Sequence, residues 1–303
     1  MFQIPSGLDI NNLIDDLRNF SWESAEILLH YSQILKNSDN NSKIIKSKHN
    51  DEPVTLADLK VNETILKRIN EKYKHINWSI LSEENIKLNC KNSKITPKWQ
   101  WVLDPLDGTK DFIQRTENYA MHLALNFNNK PLLGVVLIPE KNELWITDGK
   151  SLYCEKSDGS RKKLFKPKSK KINEMSLVCS KNHKNNTLEQ LVEKINFKKV
   201  NVMGSIGCKI ASIIRGENDI YITLSLPGQS CPKDWDFAAP EAILRAAGGA
   251  ITNLDNIDLS YNNENYEQRG IIIASNDRES HSDKCKQIKE IIKKYDLFPL
   301  DIN

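Results

Sequence analysis

The chain has 303 residues, enough to bury a sizeable core in one large or two modest domains. Its 43 basic and 40 acidic side chains leave a formal charge of +3, too small by itself to argue for a nucleic acid or a membrane as partner. The cysteines (Cys90, Cys154, Cys179, Cys208, Cys231, Cys285) show no Cys-x-x-Cys spacing, the N-terminus has no basic-then-apolar leader, and no segment approaches a membrane span. The expectation is reduced thiols in the cytoplasm.

From Asn11 to about Leu35, apolar positions Leu13, Leu17, Ala25, Leu28, Leu29 and Ile34 predict an amphipathic helix, with a break near Asn19-Phe20-Ser21. Ser38 to Asp51 is polar and rich in Asn, Lys and Ser, which predicts a mobile loop. Thr55 opens a second helix with a stripe at Val61, Ile65, Ile69 and Tyr73, and Thr55 with Asp58 forms a Thr-x-x-acid capping pattern. On residues alone, Asp58 is a capping acid. Trp78 to Ser82 reads as a strand delivering Glu83 and Glu84, an acid pair that also suits a solvated loop or a helix N-terminus. A polar connection follows over residues 87–98.

Trp99 to Phe112 is the stretch around which the chain is organised. Trp99, Trp101, Val102 and Leu103 form a short apolar strand, and at its end Asp104 and Asp107 stand apart by Pro105 and Leu106. Pro105 pre-sets the bend, Gly108 lets a ligand approach the backbone and Thr109 adds a hydroxyl. Two anions so close repel each other unless a hard cation lies between them, which suggests Mg²⁺. The competing view is a plain Pro-x-Asp-Gly turn with Asp capping its own backbone. An Asp-x-Asp-Gly-Thr nucleophile loop of the haloacid-dehalogenase type does not fit, because two residues separate the aspartates. The choice depends on whether other acids converge here from elsewhere.

Beyond the loop, Tyr119–Phe127, Leu132–Ile138 and Leu144–Thr147 read as strands of an antiparallel meander. Arg161 to Lys171 is basic with a single aromatic, Phe165, among its seven cations, the pattern of a solvated hairpin and linker rather than of an anion-binding surface. From Met175 strands and helices alternate. Strands are expected at Leu177–Ser180, Ile220–Thr223 and Ile271–Ser275, and helices at Thr187–Ile195, Ser205–Ile214, Asp236–Ala247 and around Lys284–Lys294. Asp236, at the start of its helix, has an ordinary explanation as a cap or first-turn acid. The expected division is residues 1–165, an α+β half with an antiparallel sheet and the acidic loop, and residues 166–303, an α/β half that completes the site.

Four blocks in order, Pro53-Val-Thr-Leu-Ala-Asp58, Leu81-Ser-Glu-Glu84, Asp104-Pro-Leu-Asp-Gly-Thr109 and Trp235-Asp-Phe-Ala-Ala239 with Ala247-Gly-Gly249, resemble the inositol monophosphatase superfamily of Mg²⁺-dependent, Li⁺-sensitive phosphatases. The wording of the central block is most similar to its 3′(2′),5′-bisphosphate nucleotidase branch. The resemblance implies a layered αβαβα sandwich and hydrolysis by metal-activated water with two to three Mg²⁺ ions. It implies Glu83, Asp104, the Leu106 carbonyl, Asp107 and Asp236 as metal ligands, with Asp58, Glu83 and Thr109 catalytic and Asp58 orienting Thr109. The substrate contacts it implies are Asp107, Gly108, Thr109, Asp236, and, from blocks similar to those of the nucleotidase branch, Ser180, His183, Ser205 and Lys209. Lys181 and Asn182 depart from the branch's Ser-basic-x-His block, Gly204-Ser205 stands one residue farther from Lys209 than in the branch's Gly-Ser-x-x-Lys stretch, and Pro240-Glu241 replaces the glycine common after Ala-Ala. The substrate expected is 3′-phosphoadenosine 5′-phosphate, a small phosphate ester, with neither nucleic acid nor membrane as partner and a homodimer left open. An inositol or fructose-1,6-bisphosphate phosphatase is the sibling alternative, and a non-catalytic nucleotide sensor the remoter one.

Overall fold

A computed structural model of the chain describes residues 4–37, 44–49, 52–87, 97–164, 169–180, 186–263 and 265–298. The N-terminal stripe forms one unbroken helix, α1 (Ile10–Lys36), capped by the Asp9 side chain, which accepts from Asn12 N at 2.9 Å. No break occurs near Phe20. That ring is buried, and Ser21 and Ser24 donate to the Leu17 and Phe20 carbonyls at 2.6 and 2.8 Å, so the hydroxyls are satisfied inside the helix. Part of the expected polar loop is an antiparallel pair, β1 (Ile45–His49) and β2 (Glu52–Thr55); the remainder, residues 38–43, 50 and 51, lies outside the described residues. Helix α2 (Leu56–Lys72) buries Val61, Ile65 and Ile69, with Tyr73 buried just beyond it.

Strand β3 (Ser79–Ser82) runs into the short helix α3 (Glu83–Lys87); residues 88–96 of the polar connection lie outside the described residues. Then come β4 (Trp99–Asp107), α4 (Thr109–Ile113), β5 (Ala120–Phe127), β6 (Lys130–Ile138), β7 (Glu143–Thr147), β8 (Leu152–Glu155) and β9 (Arg161–Lys162). Strands β3 to β9 form a seven-stranded sheet in sequence order, parallel between β3 and β4 and antiparallel elsewhere. The basic stretch begins in this sheet. Arg161 and Lys162 pair with the buried Glu155 and Glu143 at 2.9 and 2.6 Å, so their charge is spent on the protein's own acids.

The second half holds β10 (Ser176–Ser180), α5 (Asn186–Ile195), β11 (Lys199–Met203), α6 (Ile206–Ile214), β12 (Ile220–Ser225), α7 (Asp234–Ala246), β13 (Ala250–Asn253), β14 (Gly270–Ser275) and α8 (His281–Tyr295). Its five-stranded sheet has the order β11-β10-β12-β14-β13, parallel around β10 and antiparallel around β14.

The inner strands of the two large sheets are buried on both faces, and side-chain alternation sorts them into layers. Trp101 and Leu103 of β4 face α1 and α2, whereas Val102 joins Ala120, Ala124 and Val136 against α6 and α7. The other side of α6 and α7 meets Val178, Tyr221 and Ala274 of the second sheet, whose far face, with Leu177, Ile222 and Ile273, packs on α5 and α8. Helices, sheet, helices, sheet and helices follow one another, giving an αβαβα sandwich.

One close approach sets the position of α7. A Cβ on Gly134 of β6 would meet Ala242 Cβ at 2.6 Å and the Ala239 carbonyl at 2.9 Å. Glycine on the strand and alanines on the helix let α7 lie directly on the first sheet, which carries the start of α7 to the end of β4.

Candidate active site

Asp104 and Asp107 are three residues apart, and in a regular strand an odd separation sends side chains to opposite faces. The β4–β5 register resolves this. Asp104 is opposite His122 and Asp107 opposite Ala120, so β4 spends three residues where β5 spends two. This bulge at Pro105 and Leu106 brings both carboxylates to one side. Asp104 Oδ1 also accepts the Leu106 N–H at 3.0 Å, which fixes the bend from within.

Asp236 arrives from the other half. It occupies the first turn of α7 and accepts the Lys233 N–H at 2.5 Å, so the capping role expected of it is present. Pro240, four residues on, has no N–H to return to the Asp236 carbonyl. Asp104, Asp107 and Asp236 each present a ligand atom within 4.8 Å of the other two. The Glu83 carboxyl at the start of α3 lies within hydrogen-bonding reach of Asp104. Burial first, and then the charges of Glu83, Asp107 and Asp236, push the Asp104 carboxyl well above its ordinary range. Such a set of mutually repelling oxygen donors fits a hard divalent cation, which would neutralise the repulsion that the chain alone leaves in place.

Asp58 makes both contacts, one with each oxygen. Oδ2 accepts from the Thr55 N–H at 2.9 Å and from the Thr55 hydroxyl, completing the cap of α2, while Oδ1 lies 3.3 Å from the Thr109 hydroxyl. Thr109 Oγ1 is also 3.0 Å from the Leu106 carbonyl, and its single proton serves one acceptor at a time. Burial, with a smaller push from Glu83, raises Asp58 to about 7.

Gly108 adopts φ of 87°, and a Cβ there would meet the Asn118 carbonyl at 2.9 Å and Ser205 N at 3.2 Å. The loop therefore sits against the start of α6. Ser205 caps that helix by accepting from Cys208 N and donates its proton to Asp107 Oδ2 at 2.6 Å. Lys209 is 3% exposed; its ammonium bonds to the Gly204 carbonyl and stands 5.4 Å from the centre of the Tyr221 ring, against which Ser180 also lies. Burial lowers the Lys209 pKa. Asp58, Glu83, Asp104, Leu106, Asp107, Gly108, Thr109, Ser205 and Asp236 thus surround one site, with Ser180 and Lys209 together behind it. His183 lies outside the described residues.

The sequence patterns did not mark Gly207, whose N–H reaches Asp107 Oδ2 at 3.2 Å. Finding it needed the spatial meeting of the two halves.

A model of the inositol monophosphatase family matches residues 12–293. The chain belongs to the inositol monophosphatase family. As a member of this family of phosphatases it shares its fold with an IMPase of Thermotoga maritima (TM-score 0.70, 20% identity, 93% of this chain and 99% of that one) and an inositol monophosphatase from Anabaena (TM-score 0.69, 20% identity, 93% and 97%). Two curated relatives carry the name 3′(2′),5′-bisphosphate nucleotidase CysQ. That of Buchnera aphidicola is 31% identical over 72% of this chain and 77% of its own length, and that of Aggregatibacter actinomycetemcomitans is 28% identical over 83% and 88%. Among the described residues no helix is long and apolar enough to cross a membrane.

Proposed function

We propose that this phosphatase is a Mg²⁺-dependent 3′(2′),5′-bisphosphate nucleotidase that hydrolyses 3′-phosphoadenosine 5′-phosphate to AMP and phosphate. The observation that carries the reaction is the convergence of Asp104, Asp107 and Asp236. The nucleotidase names of the curated relatives support the substrate.

Glu83, Asp104, the Leu106 carbonyl, Asp107 and Asp236 would hold the cations. Bound there, Mg²⁺ supplies positive charge beside the attacking water, the phosphoryl oxygens and the departing oxygen. The chain's own groups do the rest. If the Leu106 carbonyl turns to a cation, the Thr109 proton goes to Asp58, and the Thr109 oxygen is then free to accept from the water. Glu83 and the Thr109–Asp58 pair together take the water proton as the oxygen attacks phosphorus in line. The bond to the 3′-oxygen breaks, and that oxygen takes a proton from a solvent water to leave as the 3′-hydroxyl of AMP. The Gly108 and Thr109 N–H groups would hold the phosphate, while Ser180, His183, Ser205 and Lys209 would contact the rest of the nucleotide.

The test is phosphate release by purified protein from 3′-phosphoadenosine 5′-phosphate, inositol 1-phosphate and fructose 1,6-bisphosphate. Preference for the nucleotide supports the proposal. Preference for either sugar phosphate replaces it with the sibling activity, and binding of the nucleotide without turnover on any ester points to a sensor.

A further inference from the structure

Glu83 stands where a strand becomes a short helix. Strand β3 ends at Ser82, and α3 runs only from Glu83 to Lys87. A helix of five residues has too few internal hydrogen bonds to fix its own start, so contacts from elsewhere must hold it. One amide on α2 does so. The buried Asn62 side chain accepts from the Ser82 hydroxyl through Oδ1 at 2.5 Å, and its Nδ2 donates to Asn85 Oδ1 at 3.2 Å. Ser82 and Asn85 flank the Glu83-Glu84 pair, so a single side chain grips the turn before and after the two acids. Ser82 is fully buried, and this bond sets where its proton points.

Asn62 follows Asp58 by four residues on the same helix, and an i, i+4 pair shares one face. The two side chains are therefore about 6 Å apart along the helix axis. Asp58 reaches the Thr109 hydroxyl with Oδ1 at 3.3 Å and feels the charge of Glu83. Helix α2 is itself anchored at its start by the Thr55–Asp58 cap and along its length by Val61, Ile65 and Ile69 in the core. One rigid face thus holds both Thr109 and the turn that carries Glu83. A single helical turn sets the spacing between them.

We infer that Asn62 is a positioning residue for Glu83: by bonding to Ser82 and Asn85 it fixes the β3–α3 turn against the face of α2 that also holds Thr109 through Asp58. This rests on the proposed metal reading, in which Glu83 is a cation ligand and shares the water proton with Thr109. The Asn62 amide is committed to the turn, so it acts through Glu83 and not on the substrate. Without it the chain still passes from β3 to α3, but the Glu83 carboxyl is no longer held at one distance from Asp104 and Thr109. Groups that support a metal ligand typically contribute about 10–100-fold in metal affinity. Asn62 works through the residues on either side of its ligand, which places it at the lower end, about tenfold.

The test follows the thermal unfolding midpoint against Mg²⁺ concentration, with no substrate present. Asn62→Leu keeps the size of the side chain and removes both bonds, and Ser82→Ala removes the strand-side bond from its other partner. Ile65→Val trims a fully buried side chain one turn along the same helix and leaves the turn alone. The wild type should gain stability as Mg²⁺ rises. Asn62→Leu should need about tenfold more Mg²⁺ for the same gain, and Ser82→Ala about threefold more. The double variant should need no more than Asn62→Leu, because both changes remove the same bond. Ile65→Val should lower the metal-free midpoint and leave the Mg²⁺ requirement where it was. An unchanged requirement in Asn62→Leu overturns the inference. So does an equal rise in Ile65→Val, because lost stability and not lost position would then explain it. If Asn62→Leu does not fold, Ser82→Ala carries the test, and an unchanged requirement there overturns the inference. Absence of any Mg²⁺ effect on the wild type overturns the metal reading and this inference with it, which tells the two failures apart.

Discussion

Asp58 provides a direct check on how burial and function oppose each other in this site. Its carboxyl is 1% exposed, has Glu83 as a charged neighbour and is raised from an ordinary 3.8 to about 7. A folded-state pKa above the unfolded one means that the folded protein binds the proton more tightly, so stability is lost as pH rises from about 4 through about 7. Once both states are ionised, that difference costs the folded state as much as about 4 kcal/mol. Asp58→Asn removes the titration but keeps an oxygen that accepts the Thr55 N–H. We predict that urea unfolding in EDTA shows the variant gaining on the wild type by about 3 kcal/mol between pH 5 and pH 8, because roughly a third of the cost is already present at pH 5. Its turnover should fall, since an amide does not take the Thr109 proton. A stability gap that is the same at both pH values, or that narrows, would refute the assignment of Asp58 as a buried acid ionised against its environment.

Three further outcomes follow from the same geometry. Asp104→Asn should raise metal-free stability by relieving repulsion from Glu83, Asp107 and Asp236, while Mg²⁺-dependent turnover drops by more than the about 100-fold that losing even an outer partner can cost; unfolding curves and phosphate release check both halves. Gly134→Ala places a Cβ 2.6 Å from that of Ala242, so α7 must shift; we expect a loss of about 1–3 kcal/mol in urea unfolding, accompanied by weaker Mg²⁺ activation because Asp236 travels with the helix. Lys209→Ala should raise KM for 3′-phosphoadenosine 5′-phosphate about tenfold, the worth of one charge-assisted hydrogen bond, and change inositol 1-phosphate hydrolysis little in steady-state assays.

Much of the site was legible because its residues lie in short runs whose chemistry is local. Asp-Pro-Leu-Asp-Gly-Thr announces a bent strand end with two acids, and Thr55-x-x-Asp58 announces a helix start. Neither says which oxygen does what. The division of Asp58 between cap and Thr109 became visible only when α2 and β4 were placed side by side. The bulge that turns Asp104 and Asp107 to one face is a property of the β4–β5 pairing, invisible to a strand read alone. His122 illustrates the same limit, since it lies far from every motif in sequence and beside Asp107 in space.

The elements followed suit. Long periodic segments such as α2 and α7 were found nearly to the residue, whereas β11 and β13 were not. β11 is a sheet-edge strand, Lys-Val-Asn-Val-Met, with Val200 and Val202 exposed, so it lacks the half-buried alternation that marks a strand. The four residues of β13 follow Gly248-Gly249, where the helix-stop signal masks the strand that begins directly after it. The break expected in α1 was a false stop: serines that weaken a solvated helix are satisfied here by carbonyls one turn back.

The central claim is that carboxylates from both halves form one cation site, and calorimetric titration with Mg²⁺ at pH 7 tests it most directly. Burial and the acidic neighbours push the Asp104 carboxyl well above its ordinary range, so a cation that binds there draws protons off the cluster. The account predicts binding whose heat changes between buffers of different ionisation enthalpy, in the direction of proton release, and whose affinity collapses in Asp236→Asn. Binding that releases no proton, or that Asp236→Asn leaves intact, would contradict it.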